Sequence, residues 1–251
     1  MTLLFALLGT IGAVLFVGGF LYASIRSAGL RAILALLAVA LLVSGAWYGL
    51  LRAPPDREMG EVQRIMYAHV PAQWMALMAV TLNFVCSVVY LLRPRWSTDA
   101  LAEASAEVGL FFGALGLVLG SIWGKPTWGV YWSWDPRLTS EAILLVAYAG
   151  YLALRRFVDD AERRAVWSAV AGIIIAVDIP IIWFSVQWWR SLHQKQSSPS
   201  TVDPQMVLAL RWNAFAFLAL WLVFLSTRYL IARARSARDV APPPLIAEVA
   251  R

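Results

Sequence analysis

A single cysteine, Cys86, is all the thiol chemistry in this chain. One thiol inside an apolar run makes no intrachain disulfide, no Cys-x-x-Cys redox pair and no thiolate metal cluster, so Cys86 reads as packing. Histidine is almost as scarce, with His69 and His193 the only two. Structural zinc needs four ligands and catalytic zinc three, and neither set can be assembled here. Charge is thin as well: 14% of residues are charged while 61% are hydrophobic, against ~45–50% in a soluble globular domain. The net charge of +6 is scattered between apolar runs. Nucleic-acid binding needs a basic patch on one face, whereas scattered arginines between apolar runs are topology signals. No Walker motif occurs, so any ATP dependence belongs to partners. No internal repeat stands out, and no room remains for a separate soluble domain.

What the chain has in abundance is long apolar segments. A run of about 20 residues crosses a ~30 Å hydrocarbon core at 1.5 Å per residue. Such runs fall at 3–24, 31–51, 71–92, 102–123, 138–154, 166–189 and 206–229. The fold class is all-α, a polytopic membrane helical bundle with six core transmembrane helices plus an extra N-terminal one. Segment 3–24 lacks the basic start and small-residue cleavage site of a secretory signal and reads as a retained span. Pro71 suits the first turn of span three, which leaves His69 at the end of the preceding loop. Gly109, Gly113, Gly116 and Gly120 give span four a small-residue stripe for close helix approach. Asp135-Pro136 reads as an N-cap and first helical residue. Pro180 is expected to bend span six. Residues 231–251, basic and then proline-rich, have too little apolar content to fold alone and are expected to be disordered. Arginines favour the turns after spans one, three and five and the tail, which puts the C-terminus in the cytoplasm and the 123–140 stretch outside. Asp178 lies within span six, where a carboxylate is functional or paired. It is expected to bond a tryptophan N–H or the backbone freed at Pro180, with a solvated carboxylate beside a water-filled crevice as the alternative.

The densest chemistry lies in 123–140. Trp123, Trp128, Trp132 and Trp134 fall with Tyr131 within twelve residues, closed by Asp135. Glycines and a proline break the helical period, so the stretch reads as a loop at the bilayer surface. An aromatic belt is one reading; a shelf for a flat apolar ligand is the other. By the topology above, His69 and His193 share its membrane face. Imidazole is a standard axial ligand of haem iron, and two can cap it from opposite sides. Arg64, Arg137, Arg190 or Lys125 would then pair with the propionates. Taken singly, each histidine also reads as an interfacial polar residue at a helix end.

The stretch from Trp123 through Asp135 to Ser140 resembles the tryptophan-rich "WWD" signature of haem-handling membrane proteins. Tyr67-Ala-His69-Val-Pro71-Ala and the 179–194 segment ending Trp189-Arg-Ser-Leu-His193-Gln resemble the two histidine segments of the CcmC family, the haem-delivery component of cytochrome c maturation. The likeness covers roughly 60–221. It implies non-covalent, b-type haem held on the extracytoplasmic face of a bacterial inner membrane. His69 and His193 would ligate it, against Trp123, Trp128, Trp132, Trp134 and Asp135, with Arg137 beside it. It further implies presentation to the haem chaperone CcmE, with the CcmA/CcmB transporter and CcmD as partners, and no enzymatic role. Family members have six spans, so 3–24 is an addition. The competing reading is the related tryptophan-motif haem lyase, but those proteins carry an added extracytoplasmic domain and further histidines. A transmembrane b-type cytochrome places its histidine pairs well within the bilayer.

Overall fold

A computed structural model describes residues 2–194 and 203–240, with side chains over 10–194 and 203–239. The chain runs through α1 (Thr2–Arg26), α2 (Ala28–Leu51), a 3-10 turn (Glu61–Ile65), α3 (Met66–Leu92), α4 (Trp96–Trp128) and α5 (Pro136–Phe157). A broken pair, α6 (Ala161–Ile175) and α7 (Asp178–Trp188), and the long α8 (Pro204–Val240) follow. Six helical stretches among the described residues are long and apolar enough to span a membrane, with α6 and α7 together making one. The molecule is a polytopic helical bundle, as its apolar runs predict.

α3 and α4 form the central pair, with α8 laid across both and α2 on its far side. The glycine stripe of α4 makes this possible. A methyl group on Gly109 would meet Val80 of α3 at 3.0 Å, and one on Gly113 would meet Leu145 of α5 at 2.7 Å. Around these contacts pack Phe112, Met75, Ala79, Phe217, Trp221 and Leu225, all buried. Helix starts follow the local sequence. Ser27 accepts from Leu30 N at 3.1 Å, Asp160 from Arg163 N at 2.7 Å and Asp135 from Arg137 N at 2.9 Å, each replacing an intrahelical partner that the first turn lacks.

At the end of α4 remote from the tryptophans, Arg155 is buried among acids. It bonds both oxygens of Asp99, at 2.7 and 2.8 Å, and Glu103 at 2.9 Å. Arg235 joins Glu103 at 2.7 Å, Arg228 holds Glu107 through two 2.5 Å bonds, and Arg164 pairs with Asp239.

Four local expectations need correction. Span three begins before Pro71: the helix opens at Met66, and His69 sits inside it rather than in a loop. Met66 and Tyr67 are buried against Trp123, Met206 and Ala209, and that burial outweighs the one helical bond the proline removes. The tryptophan stretch is not all loop, because α4 continues to Trp128 with Pro126 in its last turn. It stops at Gly129, whose φ of 81° is open to glycine alone at little cost. Span six breaks at Ala176–Val177, one turn before Pro180, since proline has no N–H for the Ala176 carbonyl, which instead accepts from Ile179 N at 3.1 Å. The segment from 231 is helical as far as Val240, held by the arginine–acid pairs above; the proline-rich part of the tail lies outside the described residues.

Candidate functional site

α3 carries His69 in its first turns, where the side chain is buried and only 8% exposed. Its Nδ1 lies 2.8 Å from the Gly116 carbonyl of α4. A carbonyl only accepts, so Nδ1 carries the proton and Nε2 keeps its lone pair. Gly120, one turn further along α4, leaves the room: a methyl there would lie 2.9 Å from His69 Cε1. Trp123 stands edge-on to the imidazole, with ring centroids 5.7 Å apart at 77°. Its indole N–H is buried without a partner.

His193 follows α7 in an irregular segment, and a chain of bonds sets its place. Asp135 is only 6% exposed. Besides capping α5, it accepts from Ser191 Oγ at 3.0 Å and Leu192 N at 2.6 Å, while Ser191 Oγ in turn accepts from His193 N at 3.0 Å. The last residue of the tryptophan motif thus anchors the histidine loop to α5. His193 Nδ1 lies 2.8 Å from the Gln194 carbonyl, which again leaves Nε2 free, and the ring sits 6.3 Å from Trp128. Burial, and after it the Arg137 charge, holds the His193 imidazole below its ordinary pKa.

Both histidines line one cavity. Trp123, Trp128 and Arg137 line it too, and it is continuous with a largely apolar chamber between α3, α4, α5 and α7 that both histidines, Trp123 and Arg137 also line. Two imidazoles with free Nε2 atoms, apolar walls and one guanidinium can take a flat, metal-centred, anionic ligand.

The other expected residues are sorted by the fold. Trp132 and Trp134 stack edge-to-face with each other at 5.8 Å and 89°, and Trp134 is 82% exposed. Neither lines the two-histidine cavity, so the expected single shelf divides into a pair that lines it and a pair that does not. Asp135 lies beneath the His193 loop and does not line the two-histidine cavity. Of the four candidate cations, only Arg137 lines it, donating also to the Ile182 carbonyl at 3.2 Å. Arg64 is spent on Glu61 and the Gly49 carbonyl. Lys125 donates to the Gly129 carbonyl at 3.0 Å and lies over the Tyr131 ring. Arg190 lines a shallow outer groove with Trp134. Asp178 opens α7 with Oδ2 buried and unpartnered, so that oxygen makes neither of the bonds expected of it.

Residues 21–241 match the family described as CcmC, Heme exporter protein C. The chain belongs to this family. Its relatives include Heme exporter protein C of Bradyrhizobium diazoefficiens, 40% identical over 192 residues, which cover 75% of this chain and 73% of that protein. Heme exporter protein C of Escherichia coli K12 is 39% identical over 188 residues, 74% of this chain and 77% of the relative. A putative cytochrome c biosynthesis ccmC-like mitochondrial protein of Marchantia polymorpha is 42% identical over 148 residues, 58% and 61% of the two chains.

In this member of the CcmC family, the sequence reading missed two polar residues of the cavity floor, Gln73 and Glu141. Each sits one turn deeper than a residue that was identified, His69 and Arg137 respectively. The available signal was Glu141, a carboxylate inside span five four residues after an arginine, an expensive placement in a membrane helix.

Proposed function

We propose that this protein binds haem between His69 and His193 on the outer face of a bacterial inner membrane and hands it to a haem chaperone, CcmE, during cytochrome c maturation. In this reading the cargo is b-type haem held without a covalent bond, and CcmA/CcmB and CcmD complete the assembly. The protein is a carrier and not an enzyme. The observation that carries the reading is the pair of imidazoles in one cavity, each with Nδ1 tied to a backbone carbonyl and Nε2 left for a metal. Ligating histidines are oriented in this way, by a bond from the other ring nitrogen. Names shared by relatives at about 40% identity support the same assignment.

The chain's own residues divide the work. Gly116 fixes the tautomer and tilt of His69, and Asp135 places His193 through Ser191. Arg137 offers guanidinium donors to a carboxylate, bonds stronger than their neutral counterparts. Trp123 and Trp128 close the sides against water. Trp134 stands exposed with Trp132 packed edge-on against it, where a docking chaperone would meet them. His193 lies on an irregular segment, half-buried, whereas His69 is buried within a helix. Exchange for a partner's ligand therefore begins at His193.

Purified in mild detergent, the chain is expected to show a low-spin, six-coordinate haem spectrum. His69→Ala and His193→Ala should each change the ligation or lower the haem content. An unchanged Soret band in both variants would remove the ligand assignment.

A further inference from the structure

The cavity floor holds a contact that haem ligation does not use. Gln73 Nε2 donates to Glu141 Oε1, joining α3 to α5. Deeper in the bundle the same two helices meet again, where Tyr148 Oη donates to Asn83 Oδ1 at 3.2 Å and packs with Val80; at the level of the cavity Gln73–Glu141 is the tie between them. Gln73 and Glu141 sit where the two-histidine cavity meets the apolar chamber, lining both. A carboxyl or an amide left unpaired there is costly, and each satisfies the other. The geometry is set from behind by α4. A methyl on Gly116 would lie 2.6 Å from the Gln73 side chain, so the glycine lets the amide lie flat against α4 and reach α5. The same Gly116 offers its carbonyl to His69. One position on α4 therefore aligns both the histidine and, one turn deeper, the glutamine.

We infer that the Gln73–Glu141 hydrogen bond is a brace that sets the separation of α3 and α5 at their cavity end, and with it the distance from the His69 imidazole to the Arg137 guanidinium. Glu141 is a positioning residue: it holds Arg137, one turn away on its own helix, at the spacing that a porphyrin's iron and propionate edge demand. The inference rests on the haem-carrier reading. It separates from plain structural support because a brace acts through a hydrogen bond, which an amide at either end reproduces, and because its loss weakens the match between iron and propionate together.

The test uses the full chain in detergent with haemin and haemin dimethyl ester as probes, comparing Glu141→Leu, Glu141→Gln and the exchange Gln73→Glu/Glu141→Gln. Wild type is expected to prefer haemin over its ester through Arg137. Glu141→Leu should lose at least tenfold in haemin retention, give up that preference and broaden the low-spin electron paramagnetic resonance signal. Glu141→Gln and the exchanged pair should stay within about threefold of wild type. Without haem, spin labels on Trp74→Cys and Ile143→Cys, exposed sites beside the brace, in a Cys86→Ser background should show a wider α3–α5 distance distribution in Glu141→Leu only. The brace is overturned if Glu141→Leu matches wild type in retention, preference and label distances. It is equally overturned if Glu141→Gln proves as defective as Glu141→Leu, which would assign the effect to charge. Failure of the carrier reading looks different: wild type would show no histidine-ligated haem, while the label distances would still report on the brace.

Discussion

His69 and Gly120 form a lock of two residues. The imidazole is pinned through Nδ1 to Gly116 and lies in the space that Gly120 leaves, where a Cβ would stand 2.9 Å from Cε1. Gly120→Ala should therefore displace the ring at a cost of about 1–3 kcal/mol in stability. The expected outcome is an altered Soret position in a protein that still elutes as a folded species on size exclusion. An unaltered spectrum would mean that the Nδ1 bond does not fix the ring. His193 adds a pH prediction. Its folded pKa lies below the ordinary histidine value, through burial first and Arg137 second, so the neutral ligand form persists below pH ~6.5. A proton and iron compete for the imidazole. Haem content should be flat from about pH 8 to 6.5 and fall only below that, read from Soret absorbance after equilibration. The linkage has the same sign: stability from this group is complete above the unfolded value and fades as pH falls through the lowered folded one.

The motif segment between α4 and α5 does two jobs that its composition does not separate. Its first half is the end of a helix and lines the cavity, while its second half leaves Trp132 and Trp134 off the cavity lining. Asp135 is the hinge point, since one carboxylate caps α5 and holds the Ser191–Leu192 turn. Asp135→Asn can keep one acceptor oxygen but not two. It should cost about 1–3 kcal/mol, loosen the His193 segment and lower haem retention, with α5 still formed. Circular dichroism paired with haem content checks both halves, and retention equal to wild type would deny Asp135 its link to His193. Replacing Trp132 or Trp134 by Ala should instead leave haem bound and slow its transfer to the chaperone. These elements were half legible in the sequence. The N-cap at Asp135-Pro136 and the glycine stripe are local signals and appear as expected. The helical continuation through Pro126 and the start of α3 before Pro71 are not, because burial of distant partners outweighs the proline.

Over the whole molecule, two polar centres lie at opposite ends of α4: the ligand cavity at one and the Arg155 network at the other. Arg155 is buried with Asp99 and Glu103 around it. Arg155→Met leaves Asp99 buried without a cation, while Glu103 keeps Arg235, and should cost about 3–5 kcal/mol, measured as a lower thermal unfolding temperature in detergent. The haem spectrum of the surviving folded fraction should be unchanged; a shifted spectrum would couple the two ends. A thiol placed at exposed Tyr131 in a Cys86→Ser background should react with an impermeant reagent in intact spheroplasts, and protection there would reverse the topology.

The sequence alone determined the helical membrane class, six of the spans in outline and the short roster of residues able to meet a metal-centred ligand. Composition and hydropathy are local quantities, and with two histidines there was little to choose among. Tertiary structure alone decided that Trp123 and Trp128 line the cavity while Trp132 and Trp134 do not, that Arg137 and not Arg64 or Lys125 reaches it, and that Gln73 and Glu141 meet beneath it. Those outcomes depend on how α3, α4 and α5 approach through glycines, contacts between residues as many as 68 apart in the chain, which no local period encodes.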